Sequence, residues 1–72
     1  MNRFVQYSLA HNRPIRLMYM TGDGALHQVT AVVTGREGDV LSLHVLRPPE
    51  NLTLTMDALL SADYMKGDEG QS

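Results

Sequence analysis

Apolar residues recur at helical spacing over the first ten positions of the chain, before a region of alternating residues begins. This spacing predicts a helix that covers residues 2–10 and ends at about residue 11. Asn12 tolerates a left-handed exit from the helix, and Pro14 opposes its continuation. A helix this short is marginal alone, so we expect it to dock on the rest of the fold. The apolar stripe comprises Met1, Phe4, Val5, Ser8 and Leu9.

From Ile15 onward the pattern changes to the alternation of β-strands, in which every second side chain points to the same face. Ile15, Leu17 and Tyr19 are predicted to face the core. The opposite face of the same strand forms an Arg/Met patch that a partner or an apolar ligand could contact. The alternative, which is the commoner arrangement for such methionines, places them beneath the helix. The patch consists of Arg16, Met18 and Met20.

Turn-forming residues divide the alternating region into five predicted strands. Residues 21–24 and 35–38 are rich in glycine and predict hairpin turns. Prolines within residues 47–50 predict a loop that stays outside the sheet. A single tight turn, capped by Asp57, is predicted over residues 57–59. The strands are then predicted at residues 15–20, 25–34, 39–46, 51–56 and 60–64.

A short helix, a four-strand meander, a tight turn and a last strand are the order of an SH3/Sm-like fold. The predicted class is mainly β: a small five-stranded antiparallel barrel with a short N-terminal helix. An α+β sheet with one open face is the alternative. Residues 1–65 form the single predicted domain, with strands over about 14–64, and residues 66–72 a disordered tail. The predicted core is Ile15, Leu17, Tyr19, Val33, Leu41, Leu43, Leu52, Leu54 and Leu60.

The composition limits which functions are plausible. Among the 72 residues, six Lys and Arg stand against eight Asp and Glu, a net charge of −2. Nucleic-acid binding usually depends on a basic surface, so this balance disfavours it. The chain has no cysteine, which excludes disulfides and thiolate metal sites. No apolar run is long enough for a membrane span, and the start lacks the apolar core of a signal peptide, so we expect a cytoplasmic protein without a membrane partner.

The arrangement of polar residues does not predict an enzyme. The acidic residues are dispersed and form no pair for general acid–base chemistry. His11, His27 and His44 lack the spacing of helical metal ligands, and Ser61 lacks a nucleophile elbow. The glycine-rich segments predict hairpin turns instead of phosphate-binding loops. We therefore expect a non-catalytic protein with no metal and no cofactor.

Self-association is a further expectation, since residues 25–34 and 39–46 are apolar on both predicted faces. A small barrel has one interior, and a short helix covers only part of its outside. Exposed apolar surface that soluble monomers rarely keep would remain. We therefore predict a homodimer or a larger ring of the Sm type. The alternative is that the helix and the Pro48-Pro49 loop cover this surface.

The segment "RPIRLMYMTGDG" after a short helix, followed by two strands and "LLSADY", resembles the WYL-domain family, and especially the short stand-alone WYL-like proteins of Gram-positive bacteria. The resemblance spans about residues 4–64 and rests on Ile15, Tyr19, the hairpin glycines and residues 59–62. It implies an Sm-like SH3 barrel, usually fused to helix-turn-helix domains in transcription regulators. The Trp-Tyr-Leu motif is replaced by Val40-Leu41-Ser42, and the Arg-x-Phe motif by Leu52-Thr53-Leu54.

Two functions follow as hypotheses. The resemblance implies a small bacterial regulatory module that recognises a nucleotide-like or anionic ligand, or single-stranded nucleic acid. We expect Arg16, Tyr19 and Arg47 to bind that ligand, because an aromatic ring beside an arginine suits base stacking and phosphate contact. The alternative is a protein-interaction or oligomerisation module without a small ligand, which the scarcity of basic residues and the doubly apolar strands favour.

Overall fold

The computed structural model of the protein describes residues 2–67 as one helix and one five-stranded antiparallel sheet. The strand order is β4-β3-β2-β1-β5, so the first and last strands of the chain are neighbours. The predicted mainly-β class, with five strands and an N-terminal helix, is confirmed. The elements are α1 (Asn2–His11), β1 (Ile15–Met20), β2 (Leu26–Glu37), β3 (Val40–Leu46), β4 (Pro49–Thr55), the 3-10 turn η1 (Met56–Ala58) and β5 (Leu59–Tyr64).

Two predictions concern positions outside this range. Met1, counted in the apolar stripe of the helix, lies outside the described residues. The same is true of residues 68–72, which make up most of the predicted disordered tail.

The long strand β2 organises the sheet around its core. Its first half, residues 26–31, pairs with β1, and its second half, residues 31–37, pairs with β3. Two three-stranded units, β5-β1-β2 and β2-β3-β4, therefore share one strand, and both contribute side chains to one core cluster. Within residues 2–67 no ladder joins β4 to β5, so the sheet keeps two edges and hydrogen bonds do not close it into a barrel.

The core follows the alternation predicted for the strands, except in β5, where a bulge changes which leucine is buried. Leu52 and Leu54 are only partly buried and pack against the core from the edge strand β4. The prediction for Leu60 was wrong: Leu59 is buried and Leu60 is 46% exposed. The ladder between β1 and β5 shifts between Met18 and Tyr19, which makes Leu60 the extra residue of a bulge. Six predicted core residues are buried: Ile15, Leu17, Tyr19, Val33, Leu41 and Leu43.

Helix α1 docks through a buried hydroxyl and through aromatic contacts. The Ser8 hydroxyl, fully buried, donates to the Arg13 carbonyl at 2.7 Å and accepts the Val33 N–H at 2.8 Å. This N–H lies where a bulge interrupts the ladder between β2 and β3, so the helix satisfies a donor that this part of the sheet does not. Arg36 of β2 also donates to the Asn2 side chain.

The buried face of α1 is rotated from the predicted stripe. Val5 and Ser8 of the stripe are buried as predicted, but Tyr7, outside the stripe, is also buried, and Leu9 is exposed, contrary to the prediction. Tyr64 at the end of β5 packs edge-on against Tyr7 and Phe4, with ring centroids 5.2 and 4.6 Å apart. This aromatic cluster holds the helix toward Tyr64, so its apolar contacts fall on Tyr7 instead of Leu9.

Two of the predicted turn positions were wrong, because a glycine and a proline lie within strands. The β1–β2 turn is as predicted, with Gly24 at φ +84° and its N–H donating to the Thr21 carbonyl. Gly35 was predicted in a turn but lies inside β2, next to the bulge, and the chain turns at Gly38, with φ +60°. Pro49 was predicted in a loop but begins β4, because the first residue of an edge strand need not donate to the ladder.

Two smaller predictions concern single residues. Asn12 has φ +55°, which confirms the left-handed exit from α1. Thr55, and not Asp57, occupies the N-cap position of η1, and no side-chain hydrogen bond caps this turn. The tight turn therefore begins one residue earlier than predicted, and the Asp57 side chain is left at the surface.

Candidate functional site

The outward face of β1 is the candidate binding surface, because α1 packs elsewhere. Along β1 the side chains alternate between buried and accessible, with Arg16 and Met20 exposed and Met18 half-buried. The helix instead contacts Val33 and Tyr64, which belong to or pack against the core. The predicted exposed Arg/Met patch is therefore present, and the arrangement with the methionines beneath the helix is not found.

Neighbouring strands extend this patch into a wider surface. In the ladders, Arg16 lies between Thr30 and Asp63, and Met18 lies between Gln28 and Ser61. Met20 pairs with Leu26, while the bulge directs Leu60 outward on the other side. We call this the β1 outer surface; its residues are Arg16, Met18, Met20, Leu26, Gln28, Thr30, Leu60, Ser61 and Asp63.

One half of the β1 outer surface is apolar. Met20 is 42% exposed, Leu26 59% and Leu60 46%. Met20 and Leu60 line an open cavity of about 360 Å³, together with Ala58 and the acidic residue Asp57 of η1. The Asp57 side chain forms no hydrogen bond or ion pair within residues 2–67. This end of the surface therefore combines accessible large apolar side chains with an unpaired carboxylate.

Asp23, in the turn that joins Met20 to Leu26, adds a second carboxylate near the apolar half. Its side chain accepts hydrogen bonds from the Thr21 hydroxyl and from the Ala25 N–H. These bonds, the Thr21 bond first, hold the pKa of Asp23 below its ordinary value of 3.8. Asp23 therefore stays ionised to lower pH than a free aspartate and keeps this end of the surface negative.

The other half of the β1 outer surface is polar. Arg16 Nη2 lies 4.0 Å from Asp63 Oδ2, and both side chains are well exposed. An ion pair this long and this exposed contributes little to stability. Gln28, Ser61 and Met18 complete a groove of about 180 Å³ around the two charges. The guanidinium is therefore accessible, but an approaching anion also meets the Asp63 carboxylate.

The structure does not bring Arg16 and Tyr19 together. Tyr19 lies on the inward face of β1, is 8% exposed and stacks on His27 with ring centroids 5.1 Å apart. Arg16 projects from the opposite face of the same strand. An aromatic platform beside this arginine, as expected from the sequence, is therefore not formed by Tyr19.

Arg47 lies closer to Arg16 than its sequence position suggests. It occupies the β3–β4 turn and lines a cavity of about 500 Å³ with Leu46, Met65 and residues 28–30 of β2. Gln28 lines both this cavity and the polar groove of Arg16. Two of the three predicted ligand-binding residues therefore lie in adjoining cavities, each with polar neighbours.

The histidines and acidic residues do not form a metal site in the part of the chain that the structure describes. His27 stacks on Tyr19, and His11 packs near Tyr7. His44 Nδ1 lies 3.1 Å from the Asn51 side-chain oxygen across the β3–β4 ladder. Each histidine thus has a different neighbour. No helix within residues 2–67 is long and apolar enough to cross a membrane.

Comparison of the chain with protein-family models, with curated proteins and with solved structures found no match. The WYL resemblance therefore stays a prediction from residues 4–64. Sequence reasoning also missed the residues that the neighbouring strands add to the surface, including its two leucines, Leu26 and Leu60. The alternation along β2 places Leu26 on the same face as Gln28 and Thr30, so its position could have been predicted. The outward position of Leu60 depends on a bulge, for which the local sequence gives no signal.

Proposed function

We propose that the protein is a small, non-catalytic cytoplasmic module that binds a protein partner through the apolar half of the β1 outer surface. The observation that supports this most is the exposure of Met20, Leu26 and Leu60 on a face that α1 leaves open. Large apolar side chains grouped on a surface are typical of interaction sites. Methionine suits such a site because its flexible, polarisable side chain adapts to different partners.

Charge supports a protein partner over a nucleotide at this position. Asp57 lies in the cavity beside Leu60, and Asp23 lies in the adjacent turn. These carboxylates repel phosphate groups but attract lysine or arginine next to an apolar side chain. The buried position of Tyr19 also removes the stacking surface that a base would need.

Site-specific photocrosslinking in the host cell tests this function. With p-benzoylphenylalanine in place of Leu26, we expect one dominant protein adduct, identified by mass spectrometry. The purified adduct partner should bind wild-type protein and lose about ten-fold or more in affinity with Met20→Asp, which places a charge in the desolvated contact. The control is the same replacement at Leu9, an exposed leucine on α1. Equal adducts from both positions, or none from position 26, would contradict the proposal.

A second candidate function is the WYL-like regulatory one, in which a nucleotide-like or anionic ligand, or single-stranded nucleic acid, binds near Arg16 and Arg47. The adjoining cavities favour it, because Gln28 of β2 lines both the groove of Arg16 and the cavity of Arg47, and both arginines are exposed. Apolar residues Leu46 and Met65 next to Arg47 provide a surface on which a base could rest.

Fluorescence polarisation with labelled single-stranded DNA and RNA at low salt tests this second function. Arg16→Ala and Arg47→Ala should each weaken binding about ten-fold, the usual effect of losing a hydrogen bond to a charged group. Arg3→Ala is the matched control, since it removes the same charge from α1, outside the two cavities. If the wild type binds neither oligonucleotide at high micromolar concentration, or if all three variants bind alike, nucleic-acid recognition is excluded.

A further inference from the structure

Two exposed leucines of the chain each lie beside a charged residue, and the two charges are opposite. At one site, Leu46 precedes Arg47 in the β3–β4 turn. At the other, Leu60 lines the cavity that contains Asp57. Within residues 2–67 the side chains of Arg47 and Asp57 take part in no hydrogen bond or ion pair. The two sites are therefore complementary in charge and both offer apolar surface.

Strand β4 keeps these two sites apart within one molecule. Leu46 lies opposite Pro49, the first residue of β4, and Thr55, its last residue, lines the Leu60 cavity. The six residue steps between them span roughly 20 Å at the rise of a β-strand. The Leu46-Arg47 turn therefore cannot enter the cavity of its own chain, and only another molecule can present such a turn to it.

We infer that the partner bound by the apolar half of the β1 outer surface is a second copy of this chain. Leu46 of one molecule inserts between Met20 and Leu60 of the next, and Arg47 pairs with Asp57. This inference rests on the proposed function, since it names the occupant of the same surface. The turn is well suited to insertion because it is short and Pro48 fixes its φ angle, so little conformational freedom is lost on binding.

Because the two sites differ, the contact is head-to-tail. After the first contact forms, the pair keeps one free turn on one molecule and one free cavity on the other. Assembly then continues until the rotation between subunits closes a ring, or it produces an open chain. The smallest closed form is a dimer in which the turn of each molecule occupies the cavity of the other.

Sedimentation equilibrium with single and mixed variants tests the head-to-tail contact. Leu46→Ser and Leu60→Ser change exposed side chains, so both proteins should keep the wild-type circular dichroism spectrum. Each variant alone should weaken self-association about ten-fold or more and sediment near the monomer mass of 8.0 kDa. An equimolar mixture should form a complex of two subunits only, because it contains one intact turn and one intact cavity. Leu9→Ser, the matched control on α1, should assemble as the wild type does.

Charge reversal supplies a second readout. Asp57→Arg should abolish assembly, and the double variant Asp57→Arg/Arg47→Asp should restore it. The inference fails if the wild type stays monomeric at near-millimolar concentration, if the mixture forms no complex, or if the double variant does not recover. A monomeric wild type that still crosslinks another protein from position 26 overturns the self-partner alone and leaves the proposed function standing.

Discussion

Leu43→Ala is expected to lower the free energy of unfolding by about 2–5 kcal/mol. Leu43 is 2% exposed and lies at the middle of β3, between Val33 on β2 and Leu52 on β4. Its side chain belongs to the only cluster of buried residues found within residues 2–67, so no second core compensates for the cavity that alanine leaves. Domains are stable by only about 5–15 kcal/mol, and the smallest ones lie near the lower limit. A large unfolded fraction is therefore expected at room temperature.

Urea denaturation followed by circular dichroism measures this loss. Leu26→Ala is the control for the same chemical change at an exposed position, and its midpoint should stay within the small range of surface substitutions. Leu54→Ala should fall between the two, because Leu54 is half-buried on the edge strand β4. If Leu43→Ala and Leu26→Ala unfold at the same urea concentration, the assignment of inward and outward faces is wrong.

The periodicity of the sequence accounts for most of the fold. Ile15, Leu17 and Tyr19 alternate with polar and methionine residues, and this is enough to decide which face of β1 is buried. The Asp-Gly turn after β1 is also a local signal, since it requires a glycine at positive φ. Such features depend on residues close in sequence, and for this reason they were predicted correctly.

Bulges explain why other positions were missed. One extra residue in β5 reverses which of Leu59 and Leu60 is buried, and another beside Gly35 lets β2 continue through a glycine that resembled a turn. In each case the register is decided by the partner strand, which the local pattern does not encode. The end of β2 was misplaced for this reason, whereas the early start of β4 at Pro49 reflects the tolerance of an edge strand for proline at its first residue.

The candidate site was less predictable than the fold. Side chains alternate along β1, so a pattern that buries Tyr19 must place Arg16 on the opposite face. The prediction that these two residues share a binding site was therefore inconsistent with the predicted strand. The apolar half of the β1 outer surface joins Met20, Leu26 and Leu60 through two ladders and a bulge. The cavities of Arg16 and Arg47 adjoin only because Gln28 of β2 lines both of them. Groupings of this kind depend on pairing between distant segments.

One of the contacts that dock α1, the buried Ser8 hydroxyl, leads to a second large expected effect. Ser8→Ala should lower the free energy of unfolding by about 1–3 kcal/mol, the range for leaving a buried donor without its acceptor. The Val33 N–H would lose the Ser8 oxygen at 2.8 Å, and the Arg13 carbonyl would lose its donor at 2.7 Å. Alanine is the better helix former by a few tenths of a kcal/mol, which offsets only a small part of this loss.

Amide hydrogen exchange distinguishes this cause from a general weakening of the fold. In Ser8→Ala the Val33 amide should exchange faster than in the wild type by more than the change in global stability explains, because its acceptor lies on the helix and not in the sheet. The Leu17 amide, in the centre of β1, should change only with global stability. Ser61→Ala, a serine exposed on β5, is the control and should leave both amides and the urea midpoint unchanged. Unchanged protection at Val33 in Ser8→Ala would mean that the Ser8 hydroxyl does not satisfy this donor. The other contacts of α1, among them the packing of Tyr7 and Phe4 on Tyr64, would then hold the helix in place.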